Sequence, residues 1–148
     1  MLGRSELRIG LPFNTRVAIA ATLFLSGCTG LTAEELERYA AQKITCAQGD
    51  DCDVKWGRAI TWISQNSPWK IQTQNDSMIM TYPPTNESPA SGFLVNKVPL
   101  KTGVYEITMS SRCGKLDGCI PNPTELKGSF NRFVMGATDV PRRSYRAY

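Results

Sequence analysis

The amino-acid sequence predicts an α+β fold: a small antiparallel sheet of about four strands packed on an amphipathic helix and shaped by local disulfides. Three observations carry this. Apolar residues first recur at helical spacing, between residues 33 and 66. They then alternate in two pairs of short runs separated by turn residues, as in two hairpins. Four cysteines fall in two identical C-x₅-C spacings, one on each side of the strand region. Helices followed by strands, without regular βα alternation, favour α+β over a parallel sheet.

The chain opens with Arg4, Arg8 and Arg16 against one acid, Glu6, and then the uncharged run "VAIAATLFL" over 17–25. A membrane-spanning helix needs roughly 20 apolar residues. This run is about half that, the size of a secretory h-region, and small residues follow it. The quartet Leu25-Ser26-Gly27-Cys28 resembles the lipobox of bacterial lipoprotein precursors. The resemblance covers about the first thirty residues. It implies a signal peptide over 1–27, cleavage before Cys28, and diacylglycerol with palmitate-type chains on the Cys28 thiol. Thr29, in place of the Asp that retains lipoproteins in the inner membrane, implies transfer to the outer membrane, facing the periplasm. Stable anchoring takes two or more acyl chains, which a lipidated Cys28 supplies.

Of 17 Lys/Arg and 13 Asp/Glu in the chain, the leader holds the three arginines and the one glutamate just named. The mature segment is therefore only slightly basic, about +2, and gives no basis for nucleic-acid binding. Its ~120 residues suit one domain. We expect an anchor-side segment and helix over 28–45, the α+β domain over 46–135, and a basic tail over 136–148.

"LTAEELERYAAQKI" opens with Thr32 and Glu35 at capping-box spacing, and Leu36, Tyr39, Ala40 and Ile44 recur at helical period. A helix is expected over 33–44, either as a stalk beside the lipid or packed on the domain. "CAQGDDC" follows. In "DVKWGRAITWISQN", Asp53 can cap a helix whose Trp56, Ala59, Ile60 and Ile63 form one apolar stripe, with Trp62 off it; Pro68 ends the segment. "WKIQTQ" and "MIMTY" form the first hairpin around "NDS", with Trp69 alternating into the sheet. "PPTNESPASG" reads as an exposed loop. "FLVNKVPL" and "GVYEITMSS" form the second hairpin around Lys101-Thr102-Gly103. After "CGKLDGC", Thr124 can cap a short helix carrying Leu126, Phe130, Phe133 and Val134, weakened by Gly128. The two cysteine loops, before and after the sheet, are expected close together.

In an exported chain an even set of cysteines points to disulfides. The Gly- and Asp-rich loops favour the local pairs Cys46–Cys52 and Cys113–Cys119, although four cysteines allow three connectivities. Zinc is disfavoured by the five-residue gap and by the lack of histidine. The same lack excludes Ser-His-Asp, Cys-His and His-metal chemistry. Asp50, Asp51 and Asp53 resemble a fragment of a calcium loop without its bidentate Glu, and read as a solvated helix start. Glu106 and Asp76 are carboxylates near strands that nothing pairs for glycosidase chemistry. Trp56, Trp62 and Trp69 invite a carbohydrate-stacking reading; core packing is the preferred one, with Trp62 the candidate for the surface. We therefore expect no enzyme, no cofactor and no metal. The expected function is a binding or structural component of an envelope protein assembly, with a ligand-binding or inhibitor module for an envelope glycan or hydrolase as the alternative. Candidate partner contacts are Lys115, Leu116 and Asp117, the proline-rich loop 83–89, and the tail residues Arg142, Arg143, Tyr145, Arg146 and Tyr148. These contacts are expected to lie away from the lipid.

Overall fold

The capping box read at Thr32 forms. In the computed structural model, which describes residues 31–136, Thr32 Oγ1 accepts from the Glu35 amide at 3.2 Å and the Thr32 amide donates to Glu35 Oε2 at 2.9 Å. This starts α1, Ala33–Ala41. The helix stops three residues short of the expected 44, because Ile44–Ala47 is a strand, β1, which the sequence reading missed. Then come α2 (Asp50–Asn66), β2 (Ile71–Gln74), β3 (Met78–Thr81), β4 (Gly92–Lys101), β5 (Val104–Arg112) and α3 (Pro123–Met135). The strands form one five-stranded antiparallel sheet of order β1-β5-β4-β3-β2. Both expected hairpins are present. The fifth strand is β1; β2 and β3 are equally short but answer each other across a tight turn, whereas β1 runs straight into the cysteine loop and pairs with the distant β5.

The helices begin and end for local reasons. Gly49, at φ 99°, lets the chain turn into α2 four residues before the expected cap at Asp53, and the acids at 50, 51 and 53 line the first turn, where the helix dipole favours negative charge. Asn122, not Thr124, caps α3: its Oδ1 accepts from the Glu125 amide at 2.9 Å, and Pro123 takes the first helical position, where its missing N–H costs nothing. Gly136 closes α3 in the left-handed conformation.

One face of the sheet is covered by α2 and α3. Trp56, Ala59, Trp62 and Ile63 of α2 and Leu126, Phe130 and Val134 of α3 meet Ile44, Ile79, Phe93, Val95, Ile107 and Met109 of the sheet in one core. Trp62 is 1% exposed and lies at the centre, edge-to-face with Phe93 and with Phe130, both at 5.4 Å between ring centroids. The surface role considered for Trp62 is thus corrected. α2 has two apolar neighbours, the sheet and α3, so its buried arc is wider than the single stripe that periodicity shows. Trp69 precedes β2 and does not alternate within it; it is half-buried, and its Nε1 donates to the Ala90 carbonyl at 3.4 Å.

The helix α1 packs on α3 and is not a free stalk. A Cβ on Gly128 would stand 2.7 Å from the Leu36 carbonyl carbon and 2.9 Å from the Leu36 Cα. Only glycine permits that approach. One turn on, the buried Asn131 Nδ2 donates to the Tyr39 and Gln42 carbonyls at 2.9 and 2.8 Å, satisfying the last turn of α1. Segment 28–45, set apart in the sequence reading, therefore contributes Leu36, Ala40 and Ile44 to the buried interior.

Candidate functional site

The pairings of side chains between helices give the domain two distinct ends. Leu36 lies against Gly128, and Tyr39 and Gln42 against Asn131, so α1 and α3 run parallel. Trp62 donates from Nε1 to Ser129 Oγ at 3.3 Å, while Arg58 Nη1 donates to the Val134 carbonyl at 3.4 Å, so α2 runs the opposite way. One end therefore holds the starts of α1 and α3, the end of α2, and the loops on either side of the β4–β5 pair: residues 82–91 before it and 113–121 after it. The other holds the β4–β5 turn, the start of α2 and Gly136.

Two disulfides form, Cys46–Cys52 and Cys113–Cys119, with Cα atoms 4.9 and 5.5 Å apart. Both are local, as the Gly- and Asp-rich spacers suggested. They are not close together. Cys46 pairs in register with Tyr105 at the start of β5, whereas Cys113 follows its end. Eight residues of strand at ~3.3 Å each put them ~26 Å apart. A sheet between two loops in sequence separates them when both attach to opposite ends of one strand.

The first bridge joins β1 to the first turn of α2, and both its sulfurs are in the core. Beside it, Asp51 Oδ2 accepts from the Ala47 amide at 2.9 Å and from Lys55 Nζ at 3.1 Å, and Lys55 also donates to the Thr45 carbonyl. The Ala47 amide, and after it Lys55, hold the Asp51 carboxyl below its ordinary range. This acid is committed to the strand–helix corner. Further along the inner face, Lys97 Nζ lies 5.1 Å from the Trp56 ring centroid and 5.9 Å from that of Tyr105, a cation–π arrangement in which the lysine stem covers core aromatics. Glu106 pairs with Lys43 at 3.7 Å, and Asp76 sits in the β2–β3 turn. Among the described residues no cluster of three or more His, Cys, Asp or Glu could hold a metal. With Trp56 and Trp62 buried, neither ring offers a stacking platform for a sugar.

The second bridge shapes an outward loop. The Gly114 and Lys115 amides both donate to the Ser88 carbonyl at 3.0 Å, and the Ile120 amide donates to the Pro89 carbonyl at 2.9 Å. A Cβ on Gly114 would stand 2.9 Å from the Thr85 carbonyl carbon. The proline-rich loop and the cysteine loop are thus laced into one rigid surface. On it Leu116 is 95% exposed and Ile120 66%, while Asp117 is exposed and Lys115 half-buried. Tyr82, half exposed, stands at the same end of the sheet. Ile120 and Tyr82 were not among the expected contacts. Each lies next to a proline in an otherwise polar turn region, where no core periodicity claims it, and that is the signal that could have found them.

The structure describes one part of the candidate contacts. Lys115, Leu116, Asp117 and loop 83–89 share a surface at the end where α1 begins. The tail leaves from Gly136, at the opposite end. Its Arg142, Arg143, Tyr145, Arg146 and Tyr148 lie outside the described residues, as does Cys28 with its lipobox. Among the described residues no helix is long and apolar enough to cross a membrane. Comparison of the chain with protein-family models, curated proteins and solved structures gives no match, so the functional reading rests on these residues and their geometry.

Proposed function

We propose that this chain is an outer-membrane lipoprotein that faces the periplasm and serves as a binding or structural component of an envelope protein assembly. The observation that carries the reading is the Arg-rich leader whose apolar run closes on Leu25-Ser26-Gly27-Cys28, only four residues before the cap of a helix docked on the domain. Cys28 would carry the diacylglycerol. The two disulfides support an oxidising, exported setting. A core filled by aromatic residues, with Glu35, Asp51 and Glu106 engaged in a cap, a corner and an edge pair, supports contact with a partner over chemistry on a substrate. The tail is the favoured partner contact, because it leaves from the end opposite the start of α1 and combines Arg with Tyr, residues enriched where interfaces are strongest.

The test has two arms. Fatty-acid labelling of the full-length chain should mark the native protein and not Cys28→Ser; label on Cys28→Ser would refute the anchor. Co-purification from detergent-solubilised membranes should recover an envelope protein with the full chain and less of it with a chain truncated after Val140, while thermal unfolding of the two is alike. Recovery of a lone protein with affinity for a glycan or a hydrolase would replace the assembly reading with the ligand-binding or inhibitor one.

A further inference from the structure

We propose that the loop bridged by Cys113–Cys119 rests in the headgroup layer of the same membrane that holds the lipid, with Leu116 and Ile120 inserted as a second, non-covalent contact. This rests on the lipid anchor at Cys28. Single exposed apolar residues are common on protein surfaces and need no explanation by themselves. Their position decides this case.

From Cys28 to Thr32, where α1 is capped, there are four residue steps, at most ~14 Å even when fully extended. α1 cannot swing away from the domain, since Gly128 and Asn131 hold it against α3. The two helices are parallel, so α3 starts beside α1, about one helix diameter away. Ile120 lies two residues before the α3 cap at Asn122. A lipid on Cys28 therefore brings this end of the domain to the bilayer whatever else the protein does. The polar layer it meets is ~5–7 Å deep on each side of the hydrocarbon.

The surface presented there is suited to that layer. Leu116 stands at the tip of a loop closed by a disulfide and hydrogen-bonded to Ser88 and Pro89, so little order remains to be lost when it inserts. Interfacial binding grows with buried apolar area, and a half-exposed tyrosine such as Tyr82 is suited to the boundary between headgroups and chains. The surface residues at the opposite end, including Leu100 at 52% exposure beside the β4–β5 turn, would face the periplasm.

The experiment places a tryptophan at each end of the full chain, purified in its lipidated form and reconstituted into phosphatidylethanolamine–phosphatidylglycerol vesicles with brominated acyl chains. Leu116→Trp and, as a second placement, Ile120→Trp should add emission that brominated vesicles reduce at least twofold. Leu100→Trp should add emission that they leave unchanged. Mass analysis of the N-terminal peptide reads the anchor independently. An acylated Cys28 together with unquenched tryptophans at 116 and 120, or with equal quenching at 100, overturns this orientation and leaves the anchor standing. An unmodified Cys28 overturns both.

Discussion

Replacing Gly128 by alanine tests the joint on which the orientation depends. On helix propensity alone the change should stabilise α3 by about 1 kcal/mol. The contact with α1 reverses the sign. The added methyl would overlap the Leu36 carbonyl oxygen and sit 2.7 Å from the carbonyl carbon, where an ordinary contact needs at least 3.4 Å, so the helices must part by at least about 0.7 Å. That distance is enough to stretch the Asn131 bonds to the Tyr39 and Gln42 carbonyls, now 2.9 and 2.8 Å, to about 3.5 Å, the limit of a useful hydrogen bond. Overpacking costs ~1–3 kcal/mol, and a buried amide left unpaired costs ~1–3 kcal/mol more. Set against the gain in propensity, Gly128→Ala should destabilise the domain by roughly 1–5 kcal/mol. At ~4 °C per kcal/mol for a domain of this size, Tm should fall by about 4–20 °C. Gly57→Ala is the control. Gly57 is also helical, but it is exposed and nothing lies within 4 Å of its would-be Cβ, so the same substitution should raise stability by up to about 1 kcal/mol. Urea and thermal unfolding of the two variants and the parent measure both. If Gly128→Ala proves as stable as Gly57→Ala, α1 does not dock through this contact, and the proposed orientation loses the joint it depends on.

Three further outcomes follow from the packing. Trp62→Ala should cost about 3–5 kcal/mol in denaturant unfolding, because the ring is buried against Phe93 and Phe130; a loss under 1 kcal/mol would mean that the site collapses around the missing ring or that the ring is not central. The two disulfides close rings of the same size, so loop entropy predicts the same ~2–3 kcal/mol for each; Cys46→Ala/Cys52→Ala should nonetheless lose more than Cys113→Ala/Cys119→Ala, since only the first pair belongs to the core, and equal melting temperatures would contradict this. The Glu35 carboxyl is held below its usual range by the Thr32 amide, then by the Thr32 hydroxyl, and Asp51 by the Ala47 amide and Lys55. Both shifts are downward, so their contribution to stability is complete at neutral pH and is lost as pH falls below the ordinary carboxylate range. Protection of the Thr32 and Ala47 amides, measured as exchange relative to the intrinsic rate at each pH, should fall there, and Glu35→Ala should remove that pH dependence at Thr32.

Signals confined to a few neighbouring residues were legible before any folding was considered. Thr32 and Glu35 announce the start of α1, the alternation around "NDS" and Lys101-Thr102-Gly103 announces two hairpins, and seven-residue cysteine loops with flexible spacers announce local bridges. The helix α3 was legible through its apolar spacing, although Gly128 looked like a weakness there. Its value to the fold depends on Leu36, 92 residues away in the chain, and no periodicity within α3 carries that information. Trp62 stood off the apolar stripe for the same reason: a helical stripe shows one buried face, and only the arrival of α3 creates the second. β1 escaped notice because, unlike the equally short β2 and β3, it has no partner across a tight turn; its partner β5 lies some sixty residues downstream. The meeting of the second cysteine loop with the start of α1 at one end of the domain was likewise out of reach. It depends on α1 and α3 running parallel, which is set by side-chain contacts between distant segments. Helix caps, turns and local bridges are properties of short stretches of this chain. Which residues are buried, and which loops share one end of the domain, are properties of segments meeting, and only the assembled domain supplies them.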